Sequence, residues 1–267
     1  MNCGLCGGGK NILMFYSGRH KIAKCADCGL IYTDDFKKGS VSYAGEGYFT
    51  RENQYVSRWD DFCAILEPLV DKIIRFKPGG KLLDVGAGVG VLLSIAARRG
   101  FISKGVEVSE WASAFAREKK GLDVQTGPLE AAQLPDNSFD VVVINHVLEH
   151  VERPREMLAD ARRILKEDGL LAIGAPNIGS FMAGLCGGKW RSLRPEQHIW
   201  HFSAETLKRL VVLSGFEVVH FEARENYPVS GWGLKALAKR LINQVSVLSG
   251  RSEAMILFAR KQAGFRA

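Results

Sequence analysis

Residues 81–93 read KLLDVGAGVGVLL: an apolar run passes through an acid, then three glycines at alternate positions, and turns apolar again. Such a run, broken by glycine and followed by helical spacing, predicts a buried strand, a tight turn and a helix. A phosphate-cradling loop would end in Gly-Lys-Ser/Thr, and a dinucleotide turn would read Gly-x-Gly-x-x-Gly. The spacing here is Asp84-x-Gly86-x-Gly88-x-Gly90, with no basic residue to meet a phosphate. Glu107, in GVEVSE, stands at the end of the next expected strand, where a carboxylate takes both hydroxyls of a ribose. Two acids around a bare backbone suit a cationic nucleoside without phosphate.

Outward from this turn, strands and helices alternate. Strands are expected near 81–86, 102–107, 122–126, 139–145, 169–175, 216–222 and 254–260. Helices are expected at 89–99, at 109–120 after the cap Ser109, at 154–166 with Pro154 in its first turn and Gly169 past its end, and at 204–213 after Ser203. A long helical pattern runs from about Glu52 to Phe76, interrupted at Pro68. The fold class is therefore α/β: a Rossmann-like sheet of seven mostly parallel strands with helices on both faces, ligands lying at the carboxyl ends of the strands. The chain divides into a ribbon at 1–35, a linker and helical region at 36–80, and the α/β domain at 81–267. That domain carries a lid at 176–202 and a helical insertion at 230–249.

Four of the six cysteines form CGLCG and CADCG, with Cys3, Cys6, Cys25 and Cys28 spaced C-x2-C-x18-C-x2-C. Two such knuckles present four soft thiolates in pairs, the donor set of a structural zinc site. The short β-rich pieces between them suit a zinc ribbon too small to fold without its metal, so loss of one thiolate is expected to unfold the ribbon rather than the main domain. Cys63 and Cys186 read as isolated buried residues.

The 267 residues suffice for one large domain and a small appendage. The net charge of +7 is concentrated at 224–267, where eight basic residues stand against two acidic ones. No window approaches the roughly 18 apolar residues of a membrane span, and the first residues lack the pattern of an export signal. A soluble, cytoplasmic chain is expected.

In their order, LLDVGAGVG, GVEVSE, LPDNSFDVVVINHVLEHV and LKEDGLLAIGAPN resemble the motifs of the class I S-adenosylmethionine-dependent methyltransferases, over about Lys81 to Lys261. The resemblance implies S-adenosylmethionine as cofactor. It places Gly86, Ala87 and Gly88 along the methionine moiety, with Gly90 in the same loop, and Glu107 on the ribose. Leu129 or Glu130 would flank the adenine, Asn145 would close the site, and Asp84 would order the glycine loop. The implied reaction is methyl transfer to a hydroxyl, amine or carbon of a metabolite, sugar or natural product. An RNA methyltransferase gripping its substrate with ribbon and basic tail is the second reading, and a zinc-ribbon adaptor that has lost turnover the third.

Transfer of an activated methyl needs alignment, and for a hydroxyl or amine acceptor also a base. The candidates are His146 and His150 in HVLEHV and His198 and His201 in EQHIWHFS. Ubiquinone-type O-methyltransferases have Glu-x-x-Glu-His where this chain has His146-x-x-Glu149-His150; the lost carboxylate disfavours a hard divalent cation, and no catalytic metal is expected. The segment 176–202, with Trp190, Arg191, Arg194 and Trp200, is the candidate lid over a small-molecule acceptor, and Tyr43 and Tyr48 are placed to close from the other side. Between 230 and 249, Trp232, Leu234, Leu237, Leu241, Val245 and Leu248 recur at helical spacing opposite Lys235, Lys239 and Arg240. That pattern suits a helix covering the sheet, a dimer contact or contact with a membrane surface.

Overall fold

A computed structural model describes residues 1–36, 45–224 and 233–265. Tyr43 and Trp232 lie outside the described residues. Seven strands form the main sheet: β4 (Lys81–Val85), β5 (Ile102–Glu107), β6 (Val124–Thr126), β7 (Phe139–Asn145), β8 (Leu165–Pro176), β10 (Phe216–Arg224) and β11 (Ala254–Lys261). Their spatial order is β10-β11-β8-β7-β4-β5-β6. Pairings from β8 through β6 are parallel, and β11 runs antiparallel between β8 and β10.

The central strands are buried on both faces, so their side chains feed two cores in alternation. Leu83, Val85, Val142 and Ile144 pack under α4 (Pro154–Ile164) and α6 (Ala204–Leu213). Leu82, Val141 and Val143 pack under α1 (Trp59–Phe76), α2 (Val91–Arg98) and α3 (Glu110–Lys120). Doubly buried parallel strands of this kind read as near-continuous apolar runs, and those runs located them in the sequence. Ser109 caps α3 by accepting from the Ala112 N–H, and Ser203 and Thr206 form a reciprocal cap on α6.

Two element boundaries differ from expectation. The helix expected to break at Pro68 instead begins at Trp59 and runs through the proline to Phe76. Its buried stripe of Cys63, Leu69, Val70 and Ile73 spans Pro68, and tertiary packing of this stripe outweighs one lost backbone bond. Helix α4 ends at Ile164, and Gly169 lies inside β8. Leu165, wholly buried and paired with Phe139, draws the chain into the sheet early, and the register slips before Val141 meets Leu170.

The ribbon is not a separate body. Its strands β1 (Asn11–Ser17), β2 (His20–Cys25) and β3 (Ile31–Thr33) form a second sheet completed by β9 (Trp200–His201), which comes from the segment 176–202 that also holds α5 (Phe181–Cys186). Leu5, Ala23, Leu30 and Tyr32 share one continuous core with the main sheet and with Ile199, Trp200 and Phe202. Within the expected insertion, α7 (Leu234–Leu248) forms, with Val245, Val247 and Leu248 exposed. Among the described residues no helix is long and apolar enough to cross a membrane.

Candidate functional site

A cleft of about 1280 Å³ opens at the carboxyl ends of β4, β5 and β7. The chain leaves β4 through Gly86 (φ +75°) and Gly88 (φ +54°), both in the left-handed region that favours glycine. A Cβ at Gly86 would also collide with Val147. Gly86 and Ala87 donate to the Val106 carbonyl, fixing the turn to the neighbouring strand. The Gly88 N–H donates to Glu107 Oε2 at 2.7 Å and the Ser109 N–H to Oε1 at 2.8 Å, so two loops, one after β4 and one after β5, each orient one oxygen of a buried carboxylate. Burial pushes the Glu107 carboxyl up, and these backbone donors oppose the shift. Burial and the nearby Glu107 charge push Asp84 up further, to about 8.

Leu129 and Glu130 meet the cleft from a single 3-10 turn, Leu129–Ala131, after β6. Asn145 ends β7 and also lines the cleft. Gly90 does not: it caps α2 at φ +89°, against Leu122 and Ala116. It starts the helix, beside the residues that line the cleft.

The four histidines occupy different environments. His146 follows Asn145 at φ +57°, half-exposed, with Nδ1 3.2 Å from Oε1 of the buried Glu149. This hydrogen bond, with the charges of the neighbouring histidines, holds Glu149 below the usual carboxylate range despite its burial. The second oxygen, Oε2, is buried and has no hydrogen-bond partner among the described residues. His150 Nδ1 donates to the Gln197 carbonyl, and His198 Nδ1 to the Ser192 carbonyl. Both reach the cleft, and burial keeps both pKa values low. His201 is withdrawn from the cleft, 4 % exposed, with Nε2 on Thr33. Burial lowers its pKa to about 3.

The tryptophans of the segment 176–202 are buried and hydrogen-bonded. Trp190 donates its indole N–H to Glu253 and Trp200 to the Val151 carbonyl, both rings buried. Arg191 and Arg194 line the cleft. On the opposite wall Phe49 stacks on Trp111 at 5.9 Å and faces Gly88, with Tyr48 and Tyr55 beside it. Phe49 and Thr33 were not selected from the sequence. Phe49 sits in GYFTRE beside the selected Tyr48, whereas no local signal singles out Thr33.

In the ribbon, the Sγ atoms of Cys3, Cys6, Cys25 and Cys28 all lie within 4.8 Å of one another, with Cys3–Cys28 at 3.4 Å and Cys6–Cys25 at 3.5 Å. Arms of about 2.3 Å around a tetrahedral zinc place sulfurs about 3.8 Å apart, so the four thiols fit that ion.

A family model described as a methyltransferase domain matches residues 55–221. An uncharacterised protein of Methanocaldococcus jannaschii is 32% identical over 129 residues, 48% of this chain and 60% of that one. The mitochondrial ubiquinone biosynthesis O-methyltransferase of Schizosaccharomyces pombe is 37% identical over 103 residues, 36% of this chain and 37% of that one. The chain thus spans less than two thirds of the length of these curated relatives. Among solved structures, a SAM-dependent methyltransferase of Thermotoga maritima, titled a possible histamine N-methyltransferase, superposes with a TM-score of 0.57 at 25% identity, over 80% of this chain and 98% of that one.

Proposed function

Because the chain belongs to the methyltransferase-domain family, we propose that it transfers the methyl group of S-adenosylmethionine to a small-molecule acceptor held beneath the lid. The observation that carries this reading is one cleft with two chemically different walls. Asp84 and Glu107 flank a glycine loop on one side, and His146, Glu149, His150 and His198 stand on the other. The donor set on the first wall fits the cofactor: buried acids and backbone amides, the complement of a cationic, phosphate-free nucleoside. Glu107, pre-oriented by Gly88 and Ser109, takes the ribose hydroxyls; Asn145 and the 129–130 turn border the remainder. When bound, the cofactor supplies a methyl group activated by a positive sulfur.

The second wall manages the acceptor proton. Glu149 Oε1 accepts from His146 Nδ1–H, which leaves the Nε2 lone pair of His146 as the base. A proton leaving an acceptor hydroxyl or amine would rest at that Nε2, and the imidazolium would be stabilised by Glu149. Alignment of the acceptor supplies the greater part of the acceleration. The ubiquinone-type relative, whose name specifies O-methylation, supports a hydroxyl acceptor. We assign zinc to the four-thiol cluster on the fit of its spacing.

Glu107→Ala should weaken S-adenosylmethionine binding by on the order of 1.5 to 3 kcal/mol, read by calorimetry. Equal affinity in wild type and variant would reject the ribose assignment. His146→Gln should keep cofactor affinity and lose turnover by roughly 10²- to 10⁴-fold. Near-normal turnover would pass the role of base to His198 or His150.

A further inference from the structure

The ribbon meets the segment 176–202 at several points, and Thr33 makes the hydrogen bonds that reach its histidines. Strand β3 pairs antiparallel with β9, Ile31 opposite His201 and Tyr32 opposite Trp200. Thr33, wholly buried, binds the same lid segment three times. Its N–H donates to the Ile199 carbonyl at 2.9 Å, its hydroxyl donates to the His198 carbonyl at 2.9 Å, and its Oγ1 lies 3.1 Å from His201 Nε2. A hydroxyl has one proton and a carbonyl only accepts, so His201 carries hydrogen on Nε2 and donates it to Oγ1.

On its other edge the lid segment grips the cleft. The N–H groups of Ile199 and Trp200 both donate to the backbone carbonyl of Glu149, at 2.7 and 3.1 Å. The Trp200 ring packs against Gly4 so closely that a Cβ there would come within 2.6 Å of it. His198 and Glu149, which bring imidazole and carboxylate to the acceptor wall, are therefore tied through a few hydrogen bonds to the ribbon strand that follows Cys28.

We propose that Thr33 is a positioning residue for the acceptor wall, and that the metal-bound ribbon holds His198 and Glu149 in register through it. The consequence for catalysis rests on the acceptor reading given above, but the coupling itself is read without turnover. The cofactor wall is built on β4 and β5 and packs partly on the other core, so it should not follow.

The test uses the full chain prepared without chelator, its Thr33→Val and Thr33→Ser variants, and wild type after metal withdrawal. Amide hydrogen exchange at Ile199 and Trp200 should rise roughly tenfold or more in Thr33→Val, with a far smaller change across Gly86–Glu107. The nitrogen resonances of the His201 imidazole should shift as Nε2–H loses its acceptor. Thr33→Ser, which keeps the hydroxyl, should restore both signals. Metal withdrawal should raise exchange at the same amides. S-adenosylhomocysteine, titrated as the probe of the cofactor wall, should bind all forms alike, so failure of the coupling and failure of the methyltransferase reading stay distinguishable. Unchanged protection at Ile199 and Trp200 in Thr33→Val and after metal loss, or an equal rise at Gly86–Glu107, would overturn the proposal.

Discussion

Asp84 sits where burial and the Glu107 charge raise its pKa to about 8, against an ordinary value of roughly 3.9. The ligand-free chain therefore holds this acid largely protonated at neutral pH. The stability it contributes in that form is fully present below about pH 4 and is lost as pH rises through about 8. A cationic ligand reverses the preference, because it favours the carboxylate. S-adenosylmethionine affinity should accordingly increase from pH 6.5 to 8.5, with release of a proton at the lower end, and Asp84→Asn should flatten the profile. Calorimetry in buffers of different ionisation enthalpy measures both. A wild-type affinity independent of pH would place the titration elsewhere. At this scale much was legible: Asp84, Gly86, Glu107 and Asn145 line the cleft because each lies at or next to the carboxyl end of a strand recognisable from its apolar run. His201 was not legible, since its partner Thr33 lies 168 positions away, and nothing in EQHIWHFS says which imidazole turns inward.

Elements were legible wherever burial imposes a period, and misread where a long-range partner overrides a local signal. Proline within a helix and glycine after one are local signals. Pro68 yielded to the buried stripe of α1, and Gly169 to the pairing of Leu165 with Phe139. The lid strand β9 has two residues and no periodicity; it exists because β3 supplies its partner. Helix α2 shows the opposite case, a local requirement that the structure keeps. Gly90 begins it at φ +89°, where a Cβ would meet Leu122. Gly90→Ala should destabilise the chain by about 1–3 kcal/mol, measured by urea unfolding. Cofactor affinity of the folded variant should be little changed, because Gly90 stays off the cleft; an affinity loss without a stability loss would return it to the binding site.

Across the whole molecule, the two cores divide the labour. One lies under α1, α2 and α3 and carries Ala87, Val89 and Phe49 on the cofactor side; the other joins the opposite sheet face to the ribbon. The cysteine spacing announced a ribbon, but not that its sheet is finished by the lid, which alters what metal loss should do. A ribbon folded on its own would melt alone. This one contributes Leu5, Leu30 and Tyr32 to the core beneath the sheet, so withdrawing the metal should expose apolar surface shared with the main domain. Each kcal/mol so lost lowers Tm by roughly 2–4 °C for a chain of this size. The prepared protein should carry one zinc, and its removal should lower the main transition by several degrees while S-adenosylhomocysteine still binds at 25 °C. The same edge predicts acid sensitivity. His201 has a pKa of about 3 in the fold and roughly 6.5 unfolded, so its contribution is present above about pH 6.5 and is lost as pH falls toward 3. Metal-loaded chain should therefore lose stability progressively over that interval, and Thr33→Val, which starts from a lower stability, should reach its acid-unfolding midpoint at higher pH than wild type. A melting temperature unmoved by metal removal, with only a small separate transition vanishing, would show the ribbon to be an appendage after all.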